Sequence, residues 1–443
     1  MRKRILSVAV KLVLLGLLLA TSYGATALLI DQARAEHAYE NAARAEHLAR
    51  ARDLDPREAQ YAKGQGDFYL ETAVPPRLHL AAAEYREAVR LTPYEALHWA
   101  DWGKACWRLG RFDEADKAYD MAVSLDPMNY KIQQEYGDYL FSQGRIKEAQ
   151  GHHARAIQLN HNVELARSLC AVYWNLGYTP LDLATQLLGD NPVLLRRYFL
   201  DCLTWMDLES ARALWAGFRQ RDGFVEASPA GAYFDFLIAK HSYDEAKSLW
   251  SEIARDFYKV DWDGERERFW NGDFRLPVNR FRGGLEWRIH QPQPKGVRTV
   301  VSESATGDRS KRLWVHFDGK ENVAYGHTSH LLLVEPGQTY TLSYNVFAVN
   351  ITAGDSAPSD QGPYVHLALM STPPVVRKEP MITDTADWDR SMDFLVPPDC
   401  HVAWVRICRD QSEKMNNRIN GDVWYSNFTL KLKDEISSGT VEQ

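Results

Sequence analysis

The chain has 443 residues, of which 45% are hydrophobic and 25% charged, the make-up of a folded protein with two or three domains rather than a disordered or fibrous one. A formal net charge of −7 leaves no broad basic surface to neutralise phosphates, which excludes a nucleic-acid binder. Five cysteines are too few, and of the wrong parity, for the disulfide framework of a small secreted domain.

The chain opens with Arg2, Lys3 and Arg4, followed by an apolar run broken only by Lys11. From Leu12 to Ile30 there are 19 residues without a charge. At about 1.5 Å per residue this nearly matches the hydrocarbon core of a bilayer and exceeds the usual apolar stretch of a secretory signal. The reading is a signal anchor, a transmembrane helix over residues 1–30. The positive flank precedes it, so the N-terminus stays in the cytoplasm and the bulk lies beyond the inner membrane, in the periplasm or outside. A cleaved signal peptide, with Ala25-Thr26-Ala27 as its cleavage site, is the competing reading and exports the same segment.

Between Ala96 and His161 one pattern occurs twice at a fixed spacing. Gly103, Gly110, Ala115 and Ala122 recur at one constant offset as Gly137, Gly144, Ala149 and Ala156. A fixed period of this length is the mark of a helical repeat array. Within one unit Ala115, Tyr119 and Ala122 stand at i, i+4 and i+7. They share a helical face on which the alanines admit a neighbouring helix and the tyrosine fills the gap. Pro127 then ends the helix.

On Trp99, Gly103, Ala115, Tyr119, Ala122 and Pro127 the first unit resembles a tetratricopeptide repeat, with Trp102 and Cys106 in place of the usual leucine and tyrosine. The second keeps Tyr136, Gly137, Ala149 and Ala156 but has His161 where the proline belongs. An upstream unit supplies Gly66, Tyr69, Ala81, Tyr85, Ala88 and Pro93, with a short insertion around Val74-Pro75-Pro76, and a half unit lies at Leu48, Ala51 and Pro56. The resemblance implies a groove for a protein partner. Its wall is lined by first-helix residues, among them Lys63, Asp67, Lys104, Trp107, Arg108, Lys131, Asp138 and Phe141. Trp107 and Phe141, one repeat apart, either anchor a partner or pack between adjacent repeats.

Past Asn162 the signature weakens while helical spacing continues. Leu208, Ala211, Trp215 and Phe218 are echoed, again at a constant offset, by Tyr243, Ala246, Trp250 and Ile253. The helical array is therefore read over residues 31–259, clearest at 57–161 and degenerate at 162–258. A charged junction at 260–267 precedes a change of character. Leu313 to Phe317, Tyr340 to Phe347, Tyr364 to Leu369, His401 to Cys408 and Val423 to Leu432 read as short strands between turn signals. Residues 268–433 are expected to form an antiparallel β-sandwich large enough for its own core, with a frayed tail at 434–443. The fold class is thus multidomain α plus β: a transmembrane helix, a tetratricopeptide-like solenoid and a sandwich. Cys400 and Cys408 flank one strand, about 26 Å apart at about 3.3 Å per residue, beyond the reach of a disulfide. Cys106, Cys170 and Cys202 fall in helical patterns and read as buried small apolar residues.

Trp270-Asn271-Gly272-Asp273-Phe274, Pro336 to Tyr344 and Gly421 to Leu430 resemble the first strand, a central turn and the last strand of jelly-roll carbohydrate-binding modules. The resemblance implies a polysaccharide ligand held by exposed aromatic rings, because sugar rings stack their CH faces on tryptophan or tyrosine. Trp314, Trp404 and Trp424, inside predicted strands, are assigned to the core. Trp287, Tyr325 and Trp388, nearer turns, are the expected platform. Family members often place an acidic residue near a structural calcium in the last strand; here that place holds Ser426, so no metal is expected.

His152, His153 and His161 fall on different helical faces and read as solvated side chains. His327-Thr328-Ser329-His330 lacks the zincin glutamate and is expected in a loop. Glu303, Asp308, Asp318 and Glu321 are a conceivable carboxylate pool, but no nucleophile elbow, phosphate loop or dinucleotide fingerprint is present. The expectation is a scaffold rather than an enzyme, without cofactor. On architecture it resembles accessory proteins of bacterial surface-polysaccharide assembly and export. Pure protein scaffolding and a polysaccharide-active enzyme remain as alternatives.

Overall fold

The computed structural model describes residues 28–35, 45–73, 75–219, 228–264, 268–303, 310–353, 357–358, 361–414 and 418–433. Residues 1–27, which carry most of the expected anchor and its alternative cleavage site, lie outside the described residues, as does the tail at 434–443. Among the described residues no helix is long and apolar enough to cross a membrane. The chain forms two compact units, Met1–Leu194 and Leu195–Gln443. The division falls within the degenerate helical stretch, between residues 194 and 195.

The first unit is a tetratricopeptide-like array of antiparallel helix pairs: α1 (Ala45–Leu54), α2 (Ala59–Asp67), α3 (Leu78–Leu91), α4 (Ala96–Arg108), α5 (Phe112–Leu125), α6 (Tyr130–Ser142), α7 (Ile146–Asn160), α8 (Val163–Trp174) and α9 (Pro180–Leu183). The helices α3, α5, α7 and α9 begin at Leu78, Phe112, Ile146 and Pro180, each a full period after the last. Local chemistry sets these boundaries. Asn129 and Asn162 accept backbone N–H groups at the starts of α6 and α8, and Thr179 with Asp182 forms a reciprocal capping box ahead of α9. Gly110 and Gly144 take the left-handed conformation that ends α4 and α6, with φ of 74° and 75°. In the last turn of the second unit His161 adopts φ 52°, ending α7 where proline ended α5. Ahead of the insertion, α2 continues into a π-helical turn, Phe68–Thr72.

Three of the pairs are closed by one repeated contact. Tyr85, Tyr119 and His153, at equivalent positions of successive second helices, lie against Gly66, Gly103 and Gly137 on the first helices. His153 is accordingly buried, against the expectation of a solvated histidine, because it holds the place that tyrosine holds in the two units before it. Ala115, Tyr119, Ala122, Ala149 and Ala156 are all fully buried.

The second unit combines helices with two antiparallel sheets. After α10 (Pro192–Cys202) come α11 (Leu208–Phe218), α12 (Ser228–Ala239) and α13 (Tyr243–Ile253), the last prolonged by a π-helical turn, Ala254–Tyr258. Phe199, Trp215 and Tyr233 form an aromatic core among these helices, with Trp215 and Tyr233 stacked at 4.8 Å. The strands are β1 (Arg288–Ile289), β2 (Val297–Glu303), β3 (Lys311–Asp318), β4 (Tyr325–Leu333), β5 (Thr339–Ala353), β6 (Ala357–Pro358), β7 (Tyr364–Leu369), β8 (Val375–Lys378), β9 (Ala386–Leu395), β10 (Val402–Arg409) and β11 (Ile419–Leu432). They pair in two sheets, ordered β1-β4-β10-β7-β8 and β2-β3-β11-β5-β6, with β9 also joined to β5. Alternate residues such as Leu313, Val315, Phe317, Val405, Ile407 and Val423 fill one shared core.

Two local expectations are corrected. Trp270 to Phe274 forms turns, not a first strand. His327 to His330 lies within β4 instead of a loop, with His330 fully buried. The sandwich also contacts the helices before it: Arg288 of β1 pairs with Asp235 of α12 at 2.7 Å, and Trp270 packs edge-on against Trp250 of α13. Among the described residues no disulfide is formed. Burial pushes the Cys106 thiol up to about 11 and the Cys202 thiol to about 12, which leaves them as inert apolar groups.

Candidate binding surfaces

The first helices of three successive repeats share a charged face. Lys63 of α2 reaches Asp67 at 2.8 Å and Asp101 of α4 at 3.5 Å. Lys104 of α4 reaches Glu71 at 3.5 Å and Glu135 of α6 at 4.0 Å. Burial raises the Asp101 carboxyl to about 6; Lys63 opposes the shift while Asp67 and Glu135 add to it. The Glu135 carboxyl is also raised, first by burial, with Lys104 opposing. Burial lowers the affinity of Lys63 for its proton, but Asp101 and Asp67 more than offset this and leave its pKa raised.

The expected groove residues divide. Lys104 belongs to this ladder, and Asp138 sits at its far end, 3.1 Å from the imidazole of His153. Lys131 is exposed at the start of α6, and Arg108 is exposed at the end of α4, donating to the carbonyl of Leu70 at 3.4 Å. Trp107 and Phe141 are not free anchors. Trp107 meets Tyr139 of the next repeat edge-on at 5.8 Å, and Phe141 meets Tyr173 in the same way at 5.8 Å. The repeat offset that aligns them on one face also aligns each with the following first helix, so they close the seam between repeats.

On the sandwich the aromatic assignments reverse. Trp287 is 0% exposed among Phe269, Phe274, His330 and Phe428. Tyr325 is 4% exposed, its hydroxyl bonded to Thr299 at 2.7 Å and Thr328 at 2.6 Å. Neither is part of an exposed platform, because both lie where the two sheets face each other. Trp388 is 37% exposed on β9, with the Arg390 guanidinium 4.3 Å above its ring. It pairs with Val346, a core residue, so it stands at the sheet edge on the core-side face.

Trp314 and Trp424, expected in the core, stand on the outer face. Trp424 is register partner to Trp314 on one side and to Phe347 on the other, which lays three aromatic rings across adjacent strands β3, β11 and β5. All three are half-buried. The Trp314 and Trp424 rings are 6.4 Å apart with planes at 14°, and Phe347 lies 5.4 Å from Trp424. Asp422 anchors one end, accepting hydrogen bonds from Trp314 Nε1 at 2.7 Å and from His316 Nδ1 at 2.9 Å. Arg298 lies 5.7 Å from the Trp314 ring. Trp404 also points outward, on the other sheet, between Arg288 and Arg406.

The signal for this face was present as strict alternation. Leu313, Val315 and Phe317 are apolar, which turns Trp314 and His316 the other way; Val423 and Tyr425 do the same for Asp422 and Trp424. Nearness to a turn was the poorer guide.

Among the described residues no group of three or more histidine, cysteine or acidic side chains is placed to hold a metal. Asp318 and Glu321 face Lys320 and Lys295, and Asp308 lies outside the described residues.

No family model matches the chain, and no curated protein does. Solved structures match in part. Tailspike protein 4 of bacteriophage CBA120 is 12% identical with a TM-score of 0.26, over 38% of this chain and 21% of that one, so the chain spans about a fifth of its length. The first tetratricopeptide domain of Spaghetti, solved with an HSP90 peptide, is 22% identical with a TM-score of 0.25, over 28% and 97%. A family 16 carbohydrate-binding module is 16% identical with a TM-score of 0.23, over 32% and 91%. Likenesses of this extent assign no function.

Proposed function

We propose that the chain is a non-catalytic scaffold with two binding surfaces: a repeat face that takes a protein partner and a sandwich face that takes an extended polysaccharide. The observation that carries the glycan half is the Trp314–Trp424–Phe347 row, half-exposed across three neighbouring strands with Asp422, His316 and Arg298 beside it. Flat apolar rings flanked by fixed hydrogen-bonding groups suit stacked sugar rings with hydroxyls at their edges. The apolar N-terminal run supports anchoring at the inner membrane with these surfaces in the periplasm or outside, and such an arrangement suits surface-polysaccharide assembly or export.

The test is calorimetry of the chain from residue 195 to 443 with the host's own exported polysaccharide. A few aromatic contacts of about 1 kcal/mol each give binding in the micromolar to millimolar range. Trp424→Ala should abolish it and Trp314→Ala should weaken it, while Trp388→Ala should leave it intact. Absence of binding by the folded unit would leave pure protein scaffolding as the better account.

A further inference from the structure

We infer that the charged face of the first helices receives a cationic side chain, lysine or arginine, of an extended peptide, and that the chain accepts it beside Tyr119. The inference rests on reading that face as the partner groove and names the chemistry of the partner.

The face is unbalanced. Asp67, Glu71, Asp101, Glu135 and Asp138 contribute five carboxyl groups, against which Lys63 and Lys104 are the two ammonium groups paired with them. At its centre the Tyr119 side chain is 0% exposed and its hydroxyl has no hydrogen-bond partner. Burial above all, and then Glu135, Asp101 and Asp138 acting electrostatically, raises the pKa of that hydroxyl well above the ordinary value.

Comparison with the flanking repeats shows what is missing. In each of these three units the second-helix ring rests on the first-helix glycine, and in the two flanking ones its polar tip meets the residue after that glycine. Tyr85 donates to Asp67 at 2.8 Å, and His153 lies 3.1 Å from Asp138. In the middle unit that residue is Lys104, which turns to Glu71 and Glu135 instead. The Tyr119 hydroxyl is thereby left as an acceptor without a donor, in a ring of carboxyl groups. An ammonium or guanidinium group supplies N–H donors and positive charge together, which is what both the hydroxyl and the surplus carboxylates lack. A carboxylate-rich peptide would instead meet like charge from the surplus carboxylates.

Three fluorescein-labelled nonapeptides test this, alternating glycine with lysine, with glutamine or with glutamate, each titrated into the full chain and followed by anisotropy. The lysine peptide should bind about tenfold more tightly than either of the others. Asp101→Asn with Glu135→Gln should lower its affinity by a similar factor, whereas Asp113→Asn with Glu164→Gln, outside the face, should not. Tyr119→Phe should weaken the lysine peptide several-fold at unchanged thermal midpoint, since it deletes only an unpaired oxygen. Equal or tighter binding of the glutamate or glutamine peptide, sensitive to variants of this face, would overturn the charge assignment and leave the groove standing. Failure of all three peptides would overturn both. Lysine-peptide binding indifferent to Asp101, Glu135 and Tyr119 would place the cation elsewhere and overturn the inference.

Discussion

Trp250 and Trp270 meet edge to face, with ring centroids 5.4 Å apart and planes at 89°. One belongs to the helix α13 and the other to the turn that opens the sandwich, and both are almost fully buried. Tyr258 and Trp262 complete the cluster around Trp270, at 5.2 Å and 5.9 Å. Close backbone approach reinforces it: a Cβ on Gly231 would sit 2.4 Å from the Phe281 carbonyl oxygen, and Gly284 donates to Asp235 at 3.1 Å. The helices from residue 195 onward and the sandwich therefore meet at a buried aromatic interface.

It follows that residues 268–433 made alone should not reach the native state, since the segment exposes Trp270 and leaves Arg288 without Asp235. The chain from 195 to 443 should. In that longer chain Trp270→Ala should cost about 3 to 5 kcal/mol, the range for removing a large buried ring. Urea melts followed by near-ultraviolet circular dichroism measure both, and a cooperative transition in the 268–433 segment would refute its dependence on this interface.

The three repeat glycines should differ in a predictable order. A Cβ on Gly137 would lie 2.3 Å from His153 Cδ2, on Gly66 2.6 Å from Tyr85 Cε1, and on Gly103 3.1 Å from Tyr119 Cδ2. Alanine gains up to about 1 kcal/mol of helix propensity over glycine, against about 1 to 3 kcal/mol for overpacking a tight contact. Gly137→Ala and Gly66→Ala should thus destabilise by roughly 1 to 2 kcal/mol, while Gly103→Ala should be close to neutral. Thermal melts of the three variants give the order directly.

The helix pairs were legible because the same residues recur at one period, and the glycine and aromatic of each unit turn out to touch. The sandwich was only partly legible. Strands such as Tyr364–Leu369 alternate cleanly, but β4 carries the run Thr-Ser-His before its leucines, and β9 is rich in aspartate. Their places are set by pairing: Val405 opposite His330, and Thr341 bonded to Asp393 at 2.6 Å. The outer aromatic row escapes a reading by hydrophobicity for a related reason. Hydrophobicity alone assigns Trp314 and Trp424 to a core, whereas the pleat, fixed by Leu313, Val315 and Val423, turns them outward.

His330 should make the second unit sensitive to acid. Complete burial pushes its imidazole down to about 3, partly opposed by its hydrogen bond to the Trp270 carbonyl at 2.9 Å. Between about pH 6.5, the ordinary histidine value, and 3 the unfolded chain binds a proton that the folded one refuses. Stability from this group is complete above that window and is lost as pH falls through it, on the order of 5 kcal/mol in all. His330→Leu should flatten the dependence of the urea midpoint on pH between 6.5 and 4, the ordinary titration range of histidine and the acid side of it. A variant with the wild-type slope would show that the histidine is not the titrating group.

Glu286 provides the sharpest test of how helices and sheets are joined. Its side chain is buried, and its two oxygens accept the Arg280 N–H at 3.1 Å, the Phe281 N–H at 2.7 Å and the Tyr258 hydroxyl. Burial raises the pKa of the carboxyl, while these donors, Tyr258 first, pull it back. Glu286→Gln keeps the shape but turns one acceptor into an NH₂ donor facing donors, leaving buried N–H groups unsatisfied at about 1 to 3 kcal/mol each. Glu286→Ala adds a cavity. Both should lower stability by at least about 2 kcal/mol, whereas Tyr258→Phe, which removes one donor and leaves the backbone bonds, should cost about 1 kcal/mol. Denaturant titration of the 195–443 chain gives the three values, and Glu286→Gln no more harmful than Tyr258→Phe would mean that the carboxylate is not what ties the 280–282 loop to the end of α13.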